Sequence, residues 1–371
     1  MKVENINKTL PPLRVLVAPL DWGLGHATRC IPIIKHLIIN GAEVIIAAEG
    51  ACARLLSAEF PNVKMLELGG YRVKYQGNGK SFKAQIFRQI PGLFKTISNE
   101  NKWLKEIVRE EKIQVVISDN RFGLYNANAY TIFITHQLQI KTGNILTDQL
   151  LQYFNYRFIN KFNECWVPDE ERSPGLAHEL SHPQKLPSIP VKYVGLLSRF
   201  KQQSVADKKY SWCILLSGPE PQRTVWEQIL LQTKDAFYGE IALVRGLPQG
   251  GEQIIAPARW EIYNHLSSQK LNELLQNSNA VVCRSGYSTM MDLRACGKKA
   301  LIIPTPQQTE QEYLAEKNNG RNGFVTAFQF GEWKAKLKEV EELAEPSAAQ
   351  LNEGEFIRNW LANFLQAQAA K

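Results

Sequence analysis

The sequence predicts an α/β protein of two Rossmann-like, doubly wound domains in tandem, with a central cleft. Three observations predict it. Short continuous apolar runs alternate with helical stretches along the whole chain, the pattern of parallel sheets covered on both faces. A stretch rich in Pro, Ser and Lys interrupts the alternation near the middle. The length of 371 residues suits two domains at roughly 150 residues each.

The elements follow in order. RVLVAPL (14–20) reads as a buried strand, followed by a Gly-containing turn and an amphipathic helix over about 27–40, stopped by Gly41. EVIIAAE (43–49), VKMLEL (63–68), IQVVISD (113–119), YTIFITH (130–136) and ECWVPD (164–169) are further strands. Pro174, Pro183, Pro187 and Pro190 then cluster, and VKYVGLL leads into the polar stretch 201–209. Alternation resumes with strands WCILLSG (212–218), EIALVRG (240–246), WEIYNH (260–265), AVVCRS (280–285) and ALIIPTP (300–306). Helices are expected near 222–235, 268–277, 287–296, 309–319, 331–343 and 355–368. The boundaries are therefore 1–190 for the first domain, 191–210 for a linker and 211–352 for the second domain, with a terminal helix over 353–371. Ligands of such sheets bind at the carboxyl ends of the strands, so the cleft is the expected site.

Composition narrows the function classes. With 44% hydrophobic and 22% charged residues the chain is an ordinary globular sequence. No apolar run has the roughly 18 residues of a spanning helix. The N-terminus MKVENINKTLPP lacks an apolar signal region. The six cysteines form no CxxC pair, which reads as reduced thiols in a cytoplasmic protein rather than a zinc site. The net charge of +8 lies wholly in the first half: residues 1–200 hold 25 Lys and Arg against 17 Asp and Glu, the remainder 19 of each. An anionic partner for the first domain is one reading, a basic solvated surface the other. No nucleic-acid motif accompanies the charge.

Three strand-to-helix turns carry chemistry. The first is Asp21-Trp22-Gly23-Leu24-Gly25-His26-Ala27-Thr28-Arg29. Gly23 and Gly25 let the backbone approach a ligand, the helix start offers free N–H groups, and His26 is set to project into the cleft. Gly23, Gly25 and Glu49 also fit part of a dinucleotide fingerprint, although Thr28 replaces the third glycine. The second turn holds Ser217 and Gly218, with Arg223 as a guanidinium suited to phosphate. The third is Cys283-Arg284-Ser285-Gly286-Tyr287-Ser288-Thr289. The N–H groups at 286–288 would point at a diphosphate, and Asp292, six residues after Gly286, could reach ribose hydroxyls. The plain alternative is a set of tight turns with an acid favoured by the helix dipole. In Pro304-Thr305-Pro306-Gln307-Gln308-Thr309-Glu310-Gln311-Glu312-Tyr313, Thr309 and Glu312 read as a capping box and the glutamines suit sugar hydroxyls.

With those residues in view, the chain resembles the GT-B glycosyltransferases. Within them it is similar to the MurG-like, family 28 type, which includes the peptidoglycan enzyme that adds N-acetylglucosamine to lipid I. The likeness is sharpest over 281–313, where CRSG, an acid six residues after the glycine, and PTPQQTEQEY follow the C-terminal signature. It implies a hexosyl or N-acetylhexosaminyl transferase that inverts the anomeric centre and takes a UDP-sugar as donor substrate, with no cofactor. By the same resemblance Ser285 and Gly286, helped by Ser217 and Gly218, hold the diphosphate, and Asp292 takes the ribose. Gln311 contacts the sugar, the uracil lies near 263–266, and His26 sits at the reacting centre. Glu312 stands where the family has a second glutamine. The terminal helix would cross back onto the first domain.

The chemistry such a transfer needs is a base on the acceptor hydroxyl and stabilisation of the departing diphosphate. His26 has the right intrinsic pKa for the base. Asp119, ending ISDN, is the second candidate, and His136 at the end of IFITH faces the same cleft. Helix starts and arginines can stabilise the leaving group without a metal, and no Asp-x-Asp pair is present to bridge one. Two other functions stay open: an NAD-dependent oxidoreductase using Gly23, Gly25 and Glu49, which leaves CRSG without a task, and a UDP-sugar epimerase or binder of the same fold. Finally, residues 68–99 contain no acid. Arg72, Lys74, Lys80, Lys83, Arg88 and Lys95 are interleaved there with Tyr71, Tyr75, Phe82, Phe87 and Phe94. Phe87, Ile90, Phe94 and Ile97 share a helical spacing that Pro91 and Gly92 should kink or break. This is either a packed amphipathic helix or a surface resting on an anionic membrane, as a lipid-linked or cell-envelope acceptor would require.

Overall fold

The computed structural model describes residues 12–71, 82–218, 220–328 and 331–369, with only the backbone for 82–91. Two all-parallel sheets form, the doubly wound pair that the sequence predicts. The first has the order β3-β2-β1-β4-β5-β6-β7. Its strands are β1 (Arg14–Pro19), β2 (Glu43–Ala48), β3 (Lys64–Glu67), β4 (Val115–Asp119), β5 (Tyr130–Ile134), β6 (Glu164–Val167) and β7 (Val191–Tyr193). The second has the order β10-β9-β8-β11-β12-β13. It comprises β8 (Tyr210–Leu215), β9 (Ile241–Val244), β10 (Trp260–Tyr263), β11 (Ser278–Cys283), β12 (Ala300–Ile302) and β13 (Phe324–Thr326).

Each sheet has one place where the winding reverses, and these positions build the site. In the first sheet it lies between β1 and β4, where Pro19 pairs with Asp119. The turn after β1 therefore opens directly beside Asp119. In the second it lies between β8 and β11, where Leu215 pairs with Cys283. The turns at 217–218 and 285–286 consequently stand side by side.

The helices around the first sheet are α1 (Leu24–Ile39), α2 (Gly50–Glu59), α3 (Phe82–Glu110) and α4 (Ile145–Ile159). Around the second are α5 (Gln222–Gln232), α6 (Ser268–Gln276), α7 (Tyr287–Cys296), α8 (Thr309–Asn318) and α9 (Trp333–Glu342), with α10 (Glu353–Ala369) ending the chain. α1 begins at Leu24, three residues before the expected start, so His26 and Arg29 share one face at i, i+3 spacing. α3 runs continuously through Pro91 and Gly92, where a kink or break was expected. Beyond Pro91, its residues Ile97, Glu100, Asn101, Leu104 and Val108 are buried. Residues Arg72, Lys74, Tyr75 and Lys80, and the side chains of Phe82, Lys83, Phe87, Arg88 and Ile90, lie outside the described set. The stretch read as linker from residue 191 opens with β7, which pairs with β6, so the chain leaves the first sheet at Tyr193. α8 is capped by Gln308, not by Thr309. Glu312 reaches back to the Gln307 amide (2.9 Å), one residue earlier than a capping box requires. All six cysteines are free and buried.

α10 packs against the first domain. Ile357, Trp360 and Leu361 join the core formed by α1, α2 and the first sheet. The Trp360 ring meets Trp166 edge-on at 5.4 Å, and both indole N–H groups donate to Glu164 Oε1. Burying three such side chains contributes on the order of 5 kcal/mol, comparable to the whole stability of an ordinary domain. Deleting residues 352–371 is therefore expected to give an aggregating protein by size-exclusion chromatography. A monodisperse, active truncation would show the helix to be peripheral.

Candidate active site

The first-domain wall is built on the turn after β1. Gly23 has φ +78°, a left-handed conformation that lets the chain enter α1 directly. Asp21 accepts the Tyr71 amide (3.0 Å), and Glu49 Oε1 accepts the Gly70 amide (2.7 Å), which fastens the turn to the loop after β3. Glu49 is thus engaged within the protein rather than presented to a ribose. His26, in the first turn of α1, keeps 15% of its side chain exposed, and its Nδ1 lies 3.1 Å from Asp119 Oδ1. Asp119 is fully buried. Its Oδ2 accepts Arg29 Nε at 2.6 Å, its Oδ1 accepts Arg29 Nη2, and Cys30 Sγ stands 3.7 Å from Oδ2.

This arrangement separates the two candidate bases. Burial would raise the Asp119 pKa, but Arg29 and His26 outweigh it and hold the carboxyl well below the usual range. A carboxylate so acidic, with both oxygens occupied, is a poor proton acceptor. His26 Nδ1 lies between Asp119 Oδ1 at 3.1 Å and Arg29 Nη2 at 2.9 Å. In the tautomer that donates Nδ1–H to Oδ1, Asp119 orients the ring and Nε2 is the accepting nitrogen, whereas the Arg29 contact favours the other tautomer. Burial and the neighbouring Arg29 lower the His26 pKa below 6.5, so the ring is neutral at neutral pH.

Arg29 also links the two walls. Its Nη1 lies 3.1 Å from His136 Nδ1. Arginine only donates, so His136 accepts at Nδ1 and gives its Nε2 proton to Glu310 Oε1, 2.8 Å away at the start of α8. The His136 ring stacks on Tyr287 of α7, centroids 4.0 Å apart and planes within 6°. Ser288 Oγ donates to the Gly25 carbonyl at 3.0 Å, and a Cβ on Gly25 would sit 3.0 Å from that oxygen. The N-terminal ends of α1 and α7 therefore meet across the cleft.

The second-domain wall consists of three turns. Gly286 is the N-cap of α7 with φ −72° and ψ 135°, and a Cβ there would meet nothing within 4 Å. The first-turn N–H groups of α7, which lack partners inside the helix, lie at this turn. Ser285 is buried and donates to the Gln311 carbonyl (2.8 Å), while Gln311 Oε1 accepts the Thr305 amide (2.8 Å). Both residues brace the loop against the turn, leaving the Gln311 amide NH₂ as its group for a ligand. Ser217 and Gly218 are exposed beside this loop, with the Gly218 Cβ direction 3.9 Å from Thr305 Oγ1. Among the described residues that hydroxyl is buried without a hydrogen-bond partner, an orphan that a ligand oxygen would satisfy.

Two arginines at the donor turns, Arg223 and Arg284, are engaged within the protein. Arg223 gives Nε to Glu220, Nη1 to Glu227 and Nη2 to Thr224. All three nitrogens thus donate to neighbours within four residues along the chain. Arg284 is buried, gives Nη1 to the Pro304 carbonyl at 3.0 Å, and lies over the Trp226 ring. It supports the 304–311 loop from behind. Asp292 is buried on α7, where Oδ1 accepts Ser198 Oγ at 2.6 Å.

Comparison with known proteins gives the family. Residues 14–161 match the model described as glycosyl transferase family 1, and residues 260–342 match the glycosyltransferase family 28 C-terminal domain. Among solved structures the chain is similar to spinosyn forosaminyltransferase SpnP (13% identity, TM-score 0.58, 97% of this chain and 100% of that one). It is similar also to Phytolacca americana UGT2 complexed with UDP-2fluoro-glucose and pterostilbene (12%, 0.59, 95% and 94%). A third is spinosyn rhamnosyltransferase SpnG complexed with thymidine diphosphate (17%, 0.55, 96% and 96%). No curated protein sequence matches. The chain belongs to the GT-B glycosyltransferases. The match divides by domain, family 1 on the first and family 28 on the second.

In this glycosyltransferase, sequence reasoning missed two residues that the fold brings to the centre. Arg29 carried a signal: it lies one helical turn after His26, on the same face. Glu310 carried none, because its partner His136 is 174 residues away.

Proposed function

We propose that the enzyme moves a sugar from a UDP-sugar to an acceptor hydroxyl with inversion and without a metal, in the manner of the MurG-like transferases. The observation that carries this reading is the His26–Asp119 pair, 3.1 Å apart, set at the end of α1 that meets the N-terminus of α7. His26 Nε2 takes the acceptor proton as the oxygen attacks the anomeric carbon. Asp119 stays ionised and stabilises the imidazolium that forms. The departing diphosphate rests on the α7 N–H groups at Gly286 and on Ser217, Gly218 and Thr305, where the helix dipole favours negative charge. Asp292 takes the ribose, and Gln311 and Glu310 face the sugar. SpnG holds thymidine diphosphate and UGT2 a UDP-sugar analogue, so the test compares nucleotides. In a thermal-shift assay UDP is expected to raise Tm more than dTDP, and NAD to leave it unchanged. An NAD shift without a UDP shift would favour the oxidoreductase. Sugar products formed without an acceptor would favour the epimerase.

Asp292 offers a second check. Burial raises its pKa from 3.8 to about 6. The folded state therefore binds a proton that the unfolded state has lost between about pH 4 and 6, and stability rises as pH falls through that window. At neutral pH the buried carboxylate is destabilising. Asp292→Asn is expected to raise Tm at pH 7.5 and to weaken UDP by roughly 1–3 kcal/mol through the lost charge-assisted bonds. Unchanged UDP affinity in the folded variant removes Asp292 from the site.

The acceptor is proposed to be presented at an anionic membrane on the cytoplasmic side. Among the described residues no helix is long and apolar enough to cross a bilayer. Ile145, Leu146, Leu150 and Tyr153 of α4 are exposed, and Phe94 of α3, itself half exposed, packs edge-on against Phe154. The sequence 72–95 adds six basic residues, and each cation near lipid headgroups contributes about 1 kcal/mol. Binding to anionic vesicles at low salt is expected, and its loss when Lys80, Lys83 and Arg88 become Glu. Indifference of the wild type to such vesicles would point to a soluble acceptor.

A further inference from the structure

A cavity of about 410 Å³ lies between the segment that follows β6 and the C-terminal half of α8. Its size is within the range of small-molecule sites. Both walls are pinned. Asp169 accepts the amides of Leu176 and Ala177 and the hydroxyl of Ser181 at 2.6–2.9 Å, which shapes the first-domain wall. Asn318 Nδ2 donates to the Leu176 carbonyl at 3.0 Å and ties α8 to that wall.

His178 lines the cavity from the first domain. Its backbone holds a left-handed φ of +52°, and the residue is 8% exposed. Among the described residues neither of its ring nitrogens has a protein hydrogen-bond partner, so the imidazole offers them to the cavity. Lys317 and Arg321 line the opposite wall, and neither forms an ion pair among the described residues. Of the acids on the lining, Glu179 is already paired with Lys141, which leaves Glu316. Burial first and then Arg321 and Lys317 lower the imidazole's pKa, while Asp169 and Glu179 pull it up.

We propose that this cavity binds the phosphate group of a small molecule, held by the Arg321 guanidinium, the Lys317 ammonium and an N–H of His178. A guanidinium fork and an ammonium supply charge-assisted bonds to phosphate oxygens, and the His178 ring adds an N–H donor. His178 belongs to the first domain and the two cations to the second, so the occupant bridges them. No residue of the donor turns takes part.

The test follows the ring C–H signals of ¹³C-labelled histidine during titration with inorganic phosphate, chloride being exchanged to hold ionic strength constant. The His178 signal is identified by its absence in His178→Asn. The expected result is a saturable shift of that signal, at least tenfold weaker in Lys317→Gln/Arg321→Gln and unchanged in Gly286→Val. Both altered side chains are on the lining of an open cavity, and the remaining histidine signals report whether that variant is folded. A non-saturating shift, or equal affinity in the folded double variant, overturns the proposal. Loss of the shift in Gly286→Val also overturns it, by placing the phosphate at the donor turn.

Discussion

His26→Ala is expected to lower kcat by about 10²–10⁴-fold, the usual contribution of a positioned general base, while UDP affinity changes little. The two halves of this expectation come from different walls of the cleft. His26 lies on α1, beside Asp119, whereas the diphosphate is assigned to the α7 turn. The wild-type pH profile should carry the same signature. Burial and Arg29 lower the His26 pKa, and the base acts only when neutral. The acid limb of kcat should therefore have its midpoint below pH 6.5 and disappear in the variant. A raised donor KM with normal kcat would make His26 a donor contact instead.

Gly286→Val is expected to weaken UDP by at least about 100-fold, or roughly 2.7 kcal/mol. The backbone at Gly286 is in the extended region with φ −72°, which any residue adopts, so flexibility is not what the glycine supplies. Nor does the protein crowd it, since a Cβ would meet no atom within 4 Å. The fold should therefore tolerate valine, and the added methyl groups would stand in the space assigned to the diphosphate. Calorimetry with UDP on a variant of unchanged Tm measures this. Wild-type affinity in such a variant would mean that the diphosphate lies elsewhere.

The parts of this site that could be read from sequence are those decided locally. A glycine turn between a strand and a helix announces Gly23, Gly25 and Gly286, and an apolar strand ending in an acid announces Asp119. What joins them is the reversal of winding in each sheet, which pairs Pro19 with Asp119 and Leu215 with Cys283. Local patterns hold no record of that pairing. The same limit hid Glu310. Arg223 is the instructive failure. Its phosphate role rested on a guanidinium near a turn, yet Glu227 stands one helical turn on, within the helix already expected there. The i, i+4 ion pair at 3.0 Å was legible and is the simpler use of that arginine. Pro91 misled in the opposite direction, because a proline rule says where a hydrogen bond is lost and not that the helix must end there.

We propose that α7 and His26 together form a UDP-sugar transfer site. The most direct measurement is calorimetric titration of the wild type, His26→Ala and Gly286→Val with UDP, and of the wild type with NAD. The account predicts that UDP binds the wild type and His26→Ala with similar affinity, fails to bind Gly286→Val, and that NAD does not bind. NAD binding with no UDP binding, or UDP binding that Gly286→Val leaves intact, would contradict it.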